Sequence, residues 1–550
     1  MGASPIEDVL PLVPLQEGLW FHATYNPEDD DVYVGLCVLA LDGPLDAAVL
    51  RSSLEVMLRR YPNLRASFVQ RASGELIQVI TRNSALPWEE VDLTPLPADA
   101  VADELDRVVA VRARGRFDLA RGPLMGFTLV KTGPEAHRLV IRFHHILWDG
   151  WSSSLFLSGL FACYRSGGTD VGLPIARDYR DYLRWLATKN LDDSEEAWRK
   201  ALSGLAGPTL VAGTRLPHGG AAQEQLELRM TRADSERLVA FARAHDVTLN
   251  TAVQAAWAVL LARRTGVSDV TFGATVSGRP IELDGVEDMI GLFVNTIPVR
   301  VRVTPEQSVP EFLREVRDGQ LEVVEHHHVP LSRIQRWVGV GPLFDTAVTF
   351  QNYPDEFEGL LVDGDLRVSV VSARERTHLP LTLQVEPGEE IRLEVNYRPD
   401  VLRTPVVEEL VAFLRTVLVD LADGAQRPVG ALAASSPATG RGAADEADRV
   451  APRADADSGP AAVPRSRWED TLCGLFADIL GVPAVGVDDD FFALGGDSLH
   501  AIRLTSRIRA SLGRDVRTHH VFDVPTASGL AVLLEGLPPG RAPLRPTRHP

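Results

Sequence analysis

From about residue 8 to about residue 430 the apolar positions alternate between helical spacing and short β-branched runs, with no repeat or low-complexity segment. Leu50, Leu54, Met57 and Leu58 recur at i, i+4, i+7 and i+8, which places them on one face of a helix behind Asp46, a good capping residue. Arg138 to Phe143 predicts a strand, and Phe156, Leu160, Cys163 and Tyr164 the buried face of the next helix, stopped by Gly167-Gly168. Thr248 to Arg264 predicts another helix, and Val270, Phe272, Ala274 and Val276 one face of a strand.

Between about 422 and 464 the large apolar residues give way to Ala, Gly, Pro, Asp and Arg, so a linker is set at 431–464. Helical spacing then returns. Trp468, Leu472 and Phe476 form one stripe, and Leu499, Ile502, Ile508 and Leu512 another, predicting a compact helical domain over 465–536 and a disordered tail over 537–550. The larger region divides into lobes of 1–175 and 176–430.

A formal charge of −19 sets nucleic-acid binding aside, because phosphate recognition needs clustered Lys and Arg. Cys37, Cys163 and Cys473 are scattered and odd in number, which fits reduced thiols in a cytoplasmic enzyme. No apolar run reaches the roughly 18 residues of a membrane span, so no membrane partner is expected, and the chain is taken as a monomer.

The chemistry concentrates in two runs. In His144-His145-Ile146-Leu147-Trp148-Asp149-Gly150 an extended backbone turns the two imidazoles to opposite sides, so one faces the reacting atoms and the other is structural. Asp149 either orients a histidine or locks the loop by pairing with an Arg; Gly150 allows an unusual conformation or a close backbone approach. A serine-capped helix is expected to follow. The second run, Leu494-Gly495-Gly496-Asp497-Ser498-Leu499, puts a serine with an exposed hydroxyl at a helix start, where free amides and the helix dipole gather positive charge. His326-His327-His328 is read as a solvated or interface run, since neighbouring side chains do not converge on one metal ion. Arg503 and Arg507 share an exposed helix face, either solvated or facing a partner.

Arg142 to Ser153 resembles the HHxxxDG centre of nonribosomal peptide synthetase condensation domains, a branch of the chloramphenicol-acetyltransferase-like acyltransferases. Pro11 to Gly18, Phe117-Asp118-Leu119 with Gly122-Pro123-Leu124, Asp181-Tyr182-Leu183, Ser277-Gly278-Arg279-Pro280 and Gly291 to Thr296 follow in family order. The second run, behind Asp488-Asp489-Asp490-Phe491-Phe492, is similar to the attachment site of peptidyl carrier domains. The resemblance implies an α/β, two-lobed condensation domain followed by a small all-α four-helix carrier.

It also implies that His145 is catalytic, as general base or by positioning, with His144 its supporting neighbour. Asp149 would form a structural ion pair with Arg279, behind Gly150, and Asn295 would border the active-site tunnel. Trp148, bulkier than is usual there, either narrows the tunnel or packs in the core. Ser498 would carry 4′-phosphopantetheine, flanked by Gly496, Asp497 and Leu499.

The implied reaction joins a donor thioester from an upstream carrier protein to an amine on the Ser498 arm. Transfer to a hydroxyl or a free amine, or a non-catalytic recruitment platform, are the rivals. Family modules place an adenylation domain between the two units. Its absence there implies an adenylation enzyme acting in trans, a loading transferase, or a chain shortened from a larger module, besides a phosphopantetheinyl transferase. Residues 3–20 are expected to serve as a docking surface, and the motif wording leans towards a D-configured donor.

Overall fold

The computed structural model describes residues 5–25, 30–71, 73–82, 84–213, 223–352, 360–362, 365–423, 427–432, 466–492, 494, 496 and 498–538. Two compact units are distinguished: one takes 1–16, 29–67 and 79–441, the other 442–550 with 17–28 and 68–78.

The larger unit is built on two six-stranded sheets. In the first, the spatial order is Leu360–Val362, Leu366–Arg374, Val34–Asp42, Ala136–His144, Met125–Lys131 and Trp88–Asp92. Val34–Asp42 reads VGLCVLALD, an almost unbroken apolar run, as a strand covered on both faces must. One cover is helix Ala98–Ala113, whose Val101, Leu105, Val108 and Val109 pack on Leu36, Val38, Val130 and Val140.

Helices Ala47–Arg60 and Gly150–Arg165 pack together, and Leu50, Leu54 and Met57 are fully buried. Asp46 caps the first by accepting from the amides of Ala48 and Val49. Gly159 makes the close approach possible, because a Cβ there would lie 2.7 Å from Met57 Cε.

The second sheet runs Asn295–Arg302, Asp269–Val276, Thr346–Phe350, Leu381–Glu386, Arg392–Tyr397 and Glu224–Arg229. Helix Leu249–Thr265 lies in its core, with buried residues continuous from Thr251 to Leu261, because sheet and neighbouring helices surround it. Thr248 caps its start, and Gly266, at φ +73°, ends it.

Two boundaries differ from the sequence reading. The strands Leu360–Val362 and Leu366–Arg374 fall within 176–430, yet they belong to the first sheet: Val368 pairs with Leu41, Val370 with Leu39 and Ala373 with Cys37. A β-branched strand carries no mark of which sheet it will join, so the sequence placed it with its neighbours. Residues 431–432, the start of the predicted linker, belong to the larger unit, since Leu432 is buried in the second core and its amide donates to the Val429 carbonyl. The rest of the predicted linker, 433–464, lies outside the described residues. In the predicted tail, Leu537 accepts a hydrogen bond from Arg514 and Pro538 one from Asp515, while 539–550 lie outside the described residues.

Among the described residues the carrier region forms four helices, Arg467–Leu480, Ser498–Leu512, Thr518–Asp523 and Ala527–Gly536. Ser466 and Glu469 close a capping box at the first. Leu472, Phe476, Phe491, Leu504, Ile508, Val521 and Leu530 are fully buried in one core. The acidic run before it makes turns: Asp489 accepts from the Gly486 amide, Asp490 from the Phe492 amide and Asp488 from the Ser528 hydroxyl. Phe476 meets Phe491 edge-on at 4.8 Å between ring centroids. In so small a core, Phe476→Ala is expected to cost about 3–5 kcal/mol. Urea unfolding followed by circular dichroism should show the carrier transition move while that of the larger unit stays in place.

Candidate active site

Strand Ala136–His144 delivers the two histidines to its end, and the alternation of a strand separates them. His144 is fully buried. Its Nδ1 accepts the Ile146 amide at 3.0 Å, which fixes the proton on Nε2, and Nε2 donates to Asp31 Oδ2 at 3.0 Å. Burial holds the His144 pKa below its ordinary value. Burial pushes the Asp31 carboxyl up, but the His144 hydrogen bond and charge outweigh it and the net shift is downward. An ionised Asp31 against a neutral, single-tautomer His144 is a prop for the turn. Gln16 supports the same turn, donating to the Ile146 carbonyl while accepting from the Val13 amide.

His145 keeps 15% of its side chain exposed. Its amide donates to the Tyr33 carbonyl, and its ring meets Phe143 edge-on at 5.1 Å. Its Nε2 has no hydrogen-bond partner among the described residues and lies 3.7 Å from Glu375 Oε1. Glu375 directly follows the strand Leu366–Arg374 that crosses into the first sheet. Trp148 is a core residue, 2% exposed and packed edge-on against Phe143 and Phe156.

Asp149 is turned away from the imidazoles. One carboxylate oxygen accepts the Ser152 amide at 2.9 Å and Arg279 Nη2 at 3.3 Å; the other accepts the Phe293 amide at 3.0 Å. Arg279 also donates to the carbonyls of Val286 and Met289 and to the Ser152 hydroxyl, and its guanidinium lies 3.9 Å from the Phe293 ring centroid. Burial lowers the Arg279 pKa, and Asp149 opposes that.

The helix cap expected from serine is Asp149 itself, because its carboxylate stands one position before the first helical residue and reaches the N3 amide. Ser152 instead clasps the neighbouring loop, donating to the Gly291 carbonyl and accepting from the Gly291 amide. Gly150 opens the helix without a positive φ, so an unusual conformation is not its role. Gly278 does need one: it sits at φ +61°, and a Cβ there would fall 1.8 Å from the Phe293 carbonyl oxygen.

Asn295 is 4% exposed and donates to the carbonyls of His327 and Val329; among the described residues no hydrogen bond links it to His145. The His326-His327-His328 run is half-buried rather than solvated. His326 and His328 bond the Ser194 hydroxyl, and burial pushes His327 and His328 down to about 4. No His, Cys, Asp or Glu cluster suited to a metal occurs among the described residues. Sequence reasoning missed Asp31, Ser152 and Glu375. Only Ser152 carried a signal, its i+3 spacing from a capping Asp.

In the carrier, Ser498 is the first residue of a 15-residue helix, with Leu499 in its first turn, so unpaired amides gather at its start. The Gly496 amide donates to the Phe491 carbonyl, and a Cβ at Gly496 would lie 2.5 Å from that oxygen and from the ring. Gly495 and Asp497 lie outside the described residues. A helix start behind a glycine that only a bare backbone can occupy fits a phosphopantetheinyl serine.

The condensation-domain profile matches residues 6–441. The chain belongs to the condensation-domain family. A phosphopantetheine-attachment profile matches 470–534, so a carrier domain for 4′-phosphopantetheine follows the condensation domain. Chondramide synthase cmdD of Chondromyces crocatus is 36% identical over 371 residues, 66% of this chain and 9% of that protein. Vanchrobactin synthetase VabF of Vibrio anguillarum is 30% identical over 427 residues, 77% of this chain and 15% of that protein. The chain thus spans only a small part of the length of these relatives. Condensation domains of nonribosomal peptide synthetases are acyltransferases that form amide bonds from thioesters, and this chain is one of that class.

Two solved structures share the fold. A four-domain nonribosomal peptide synthetase bound to AMP and glycine aligns at TM-score 0.68 and 18% identity over 86% of this chain and 37% of that one. The X-domain in complex with OxyB from teicoplanin biosynthesis aligns at 0.66 and 24% over 78% and 98%. Among the described residues no helix is long and apolar enough to cross a membrane.

Two outcomes follow for the condensation domain. Arg279→Ala leaves the Asp149 carboxylate buried without its cation and is expected to cost about 3–5 kcal/mol in urea unfolding; Arg279→Lys should recover little, since one ammonium does not span the same acceptors. The Tyr33 hydroxyl donates to His378 Nδ1 at 2.5 Å, and burial, then the charge of Arg398, push His378 from 6.5 down to about 4. The unfolded ring binds its proton more tightly, so this contribution is complete above pH 6.5 and is lost as pH falls towards 4. On the order of 3 kcal/mol disappears across that window. Urea titrations from pH 7.5 to 4 should show the slope, reduced in His378→Asn.

Proposed function

We propose that His145 is the catalytic residue of a condensation–carrier didomain that joins a carrier-bound acyl or peptidyl thioester to an amine held on its own Ser498 arm. The observation that carries the reading is the environment of the two imidazoles: His144 is spent on Asp31 and the Ile146 amide, while His145 Nε2 is uncommitted. A ring packed on Phe143 and tethered through its amide to Tyr33 is aimed rather than free, which suits proton acceptance from, or positioning of, an attacking amine.

Asp149, Gly150 and Arg279 act through the loop they fix. Asn295 does the same from the second lobe, by holding the His327–Val329 turn. When bound through Ser498, 4′-phosphopantetheine supplies the thiol on which an acceptor is held as a thioester; Gly496 shapes the site for its attachment.

Residues 442–469 separate the two matched regions, too few for an adenylation domain. Amino-acid activation is therefore supplied in trans, Ser498 is modified by a phosphopantetheinyl transferase, and the donor arrives on the carrier of an upstream protein. The protein acts as a cytoplasmic monomer. An ester-forming transfer would use the same histidine. A recruitment platform would not require an uncommitted imidazole.

His145→Ala is expected to slow amide formation about 10²- to 10⁴-fold while leaving Ser498 loading intact, and Ser498→Ala to prevent loading. Intact-protein mass spectrometry with a loaded donor carrier reads both. Normal turnover by the His145 variant refutes the assignment.

A further inference from the structure

Outside the Asp149 network, the charged group nearest the uncommitted imidazole is Glu375, and nothing in the motif announces it. Its carboxylate is one-third exposed, and among the described residues His145 is its sole ion-pair partner. It arrives on the segment that leaves the crossing strand, a position held by Tyr33 bonding His378 three residues further on. Its charge also reaches Cys37: burial, then the Glu375 charge, push that thiol up to about 12.

The 3.7 Å between Glu375 Oε1 and His145 Nε2 is too long for a hydrogen bond and leaves no solvent on the ring nitrogen. Glu375 therefore stands where a nucleophile must come to touch Nε2, with its outer side open. A group that takes this place has to satisfy an anionic acceptor and a neutral ring acceptor together. An ammonium does so with separate N–H donors; a hydroxyl has one proton for two acceptors.

We propose that Glu375 is the acceptor-binding residue of the condensation site, taking the charged amine of the acceptor and handing it to His145, and so selecting amine over hydroxyl nucleophiles. This rests on the condensation reading above and deepens it. The ammonium docks on Glu375 and gives one proton to His145 Nε2. The nitrogen lone pair attacks the donor thioester carbonyl, forming the C–N bond as the C–S bond breaks. The sulfur leaves with its electron pair and takes the second amine proton, giving amide and thiol. The proton left on His145, facing the Glu375 carboxylate, passes to solvent and restores the site.

The test uses the full chain and two soluble acceptor probes, alanyl- and lactyl-N-acetylcysteamine thioester, which differ in ammonium against hydroxyl. Calorimetric affinities are measured for wild type, Glu375→Gln and Glu375→Asp, each checked for unchanged unfolding in urea. Wild type is expected to prefer the ammonium probe about 10- to 100-fold, the range of a charged hydrogen bond. Glu375→Gln should abolish the preference by weakening the ammonium probe alone, and Glu375→Asp should restore part of it. In parallel, Ser498 is loaded from alanyl- or lactyl-CoA and offered N-acetyl-D-alanyl-N-acetylcysteamine thioester; the amide-to-ester ratio should fall by the same factor in Glu375→Gln.

Equal affinities in wild type, or equal losses for both probes in Glu375→Gln, overturn the role of Glu375. A Glu375-dependent ammonium preference in a loaded wild-type chain that forms no amide overturns the condensation reading and leaves the ammonium site standing.

Discussion

One buried carboxylate sets the geometry of the larger unit. Asp149 is almost wholly removed from water, and the cost of burying its charge is met by donors from three separate stretches of chain: the Ser152 amide, the Arg279 guanidinium and the Phe293 amide. None of these can shift without stranding a charge, so the turn from strand to helix and the loop from Val286 to Phe293 are fixed as one piece. Arg279 extends the constraint through the Val286 and Met289 carbonyls. His145 lies four residues upstream and inherits the position this imposes, although it makes no bond to Asp149.

The same turn shows how one residue type becomes two parts. His144 and His145 are neighbours on an extended backbone, and the pleat alone sends them to opposite sides. One meets an anion and an amide and is locked in a single tautomer; the other meets an aromatic edge and an unbridged gap. The division of labour comes from surroundings that strand geometry selects, not from the residue type, which is the same at both positions.

Local features were legible in the residues. Helical spacing located the Leu50–Leu58 face and the cap at Asp46, and the two motif runs located the strand end at His144 and the helix start at Ser498. What escaped was every long-range contact that the family resemblance did not supply, as it supplied the Asp149–Arg279 pair. Asp31, Glu375 and the strand ahead of Glu375 look like ordinary loop and strand residues, since a partner more than a hundred positions away leaves no periodic trace. Two errors were local. Three consecutive serines drew the capping role from Asp149, and a run of three histidines suggested solvent where Ser194 and the second core receive it.

The crossing strand also bears on how the chain is made. Val34–Asp42 has one neighbour available, Ala136–His144, until residues 366–374 have emerged from the ribosome. For the whole interval it presents an apolar, unpaired β edge, the kind of surface that recruits other chains. The first lobe is thus a poor candidate for an independent fragment, and the long-range pairing that completes it belongs to the slow class of folding events. Synthesis of this protein carries an aggregation hazard that ends only when about two-thirds of the chain is present.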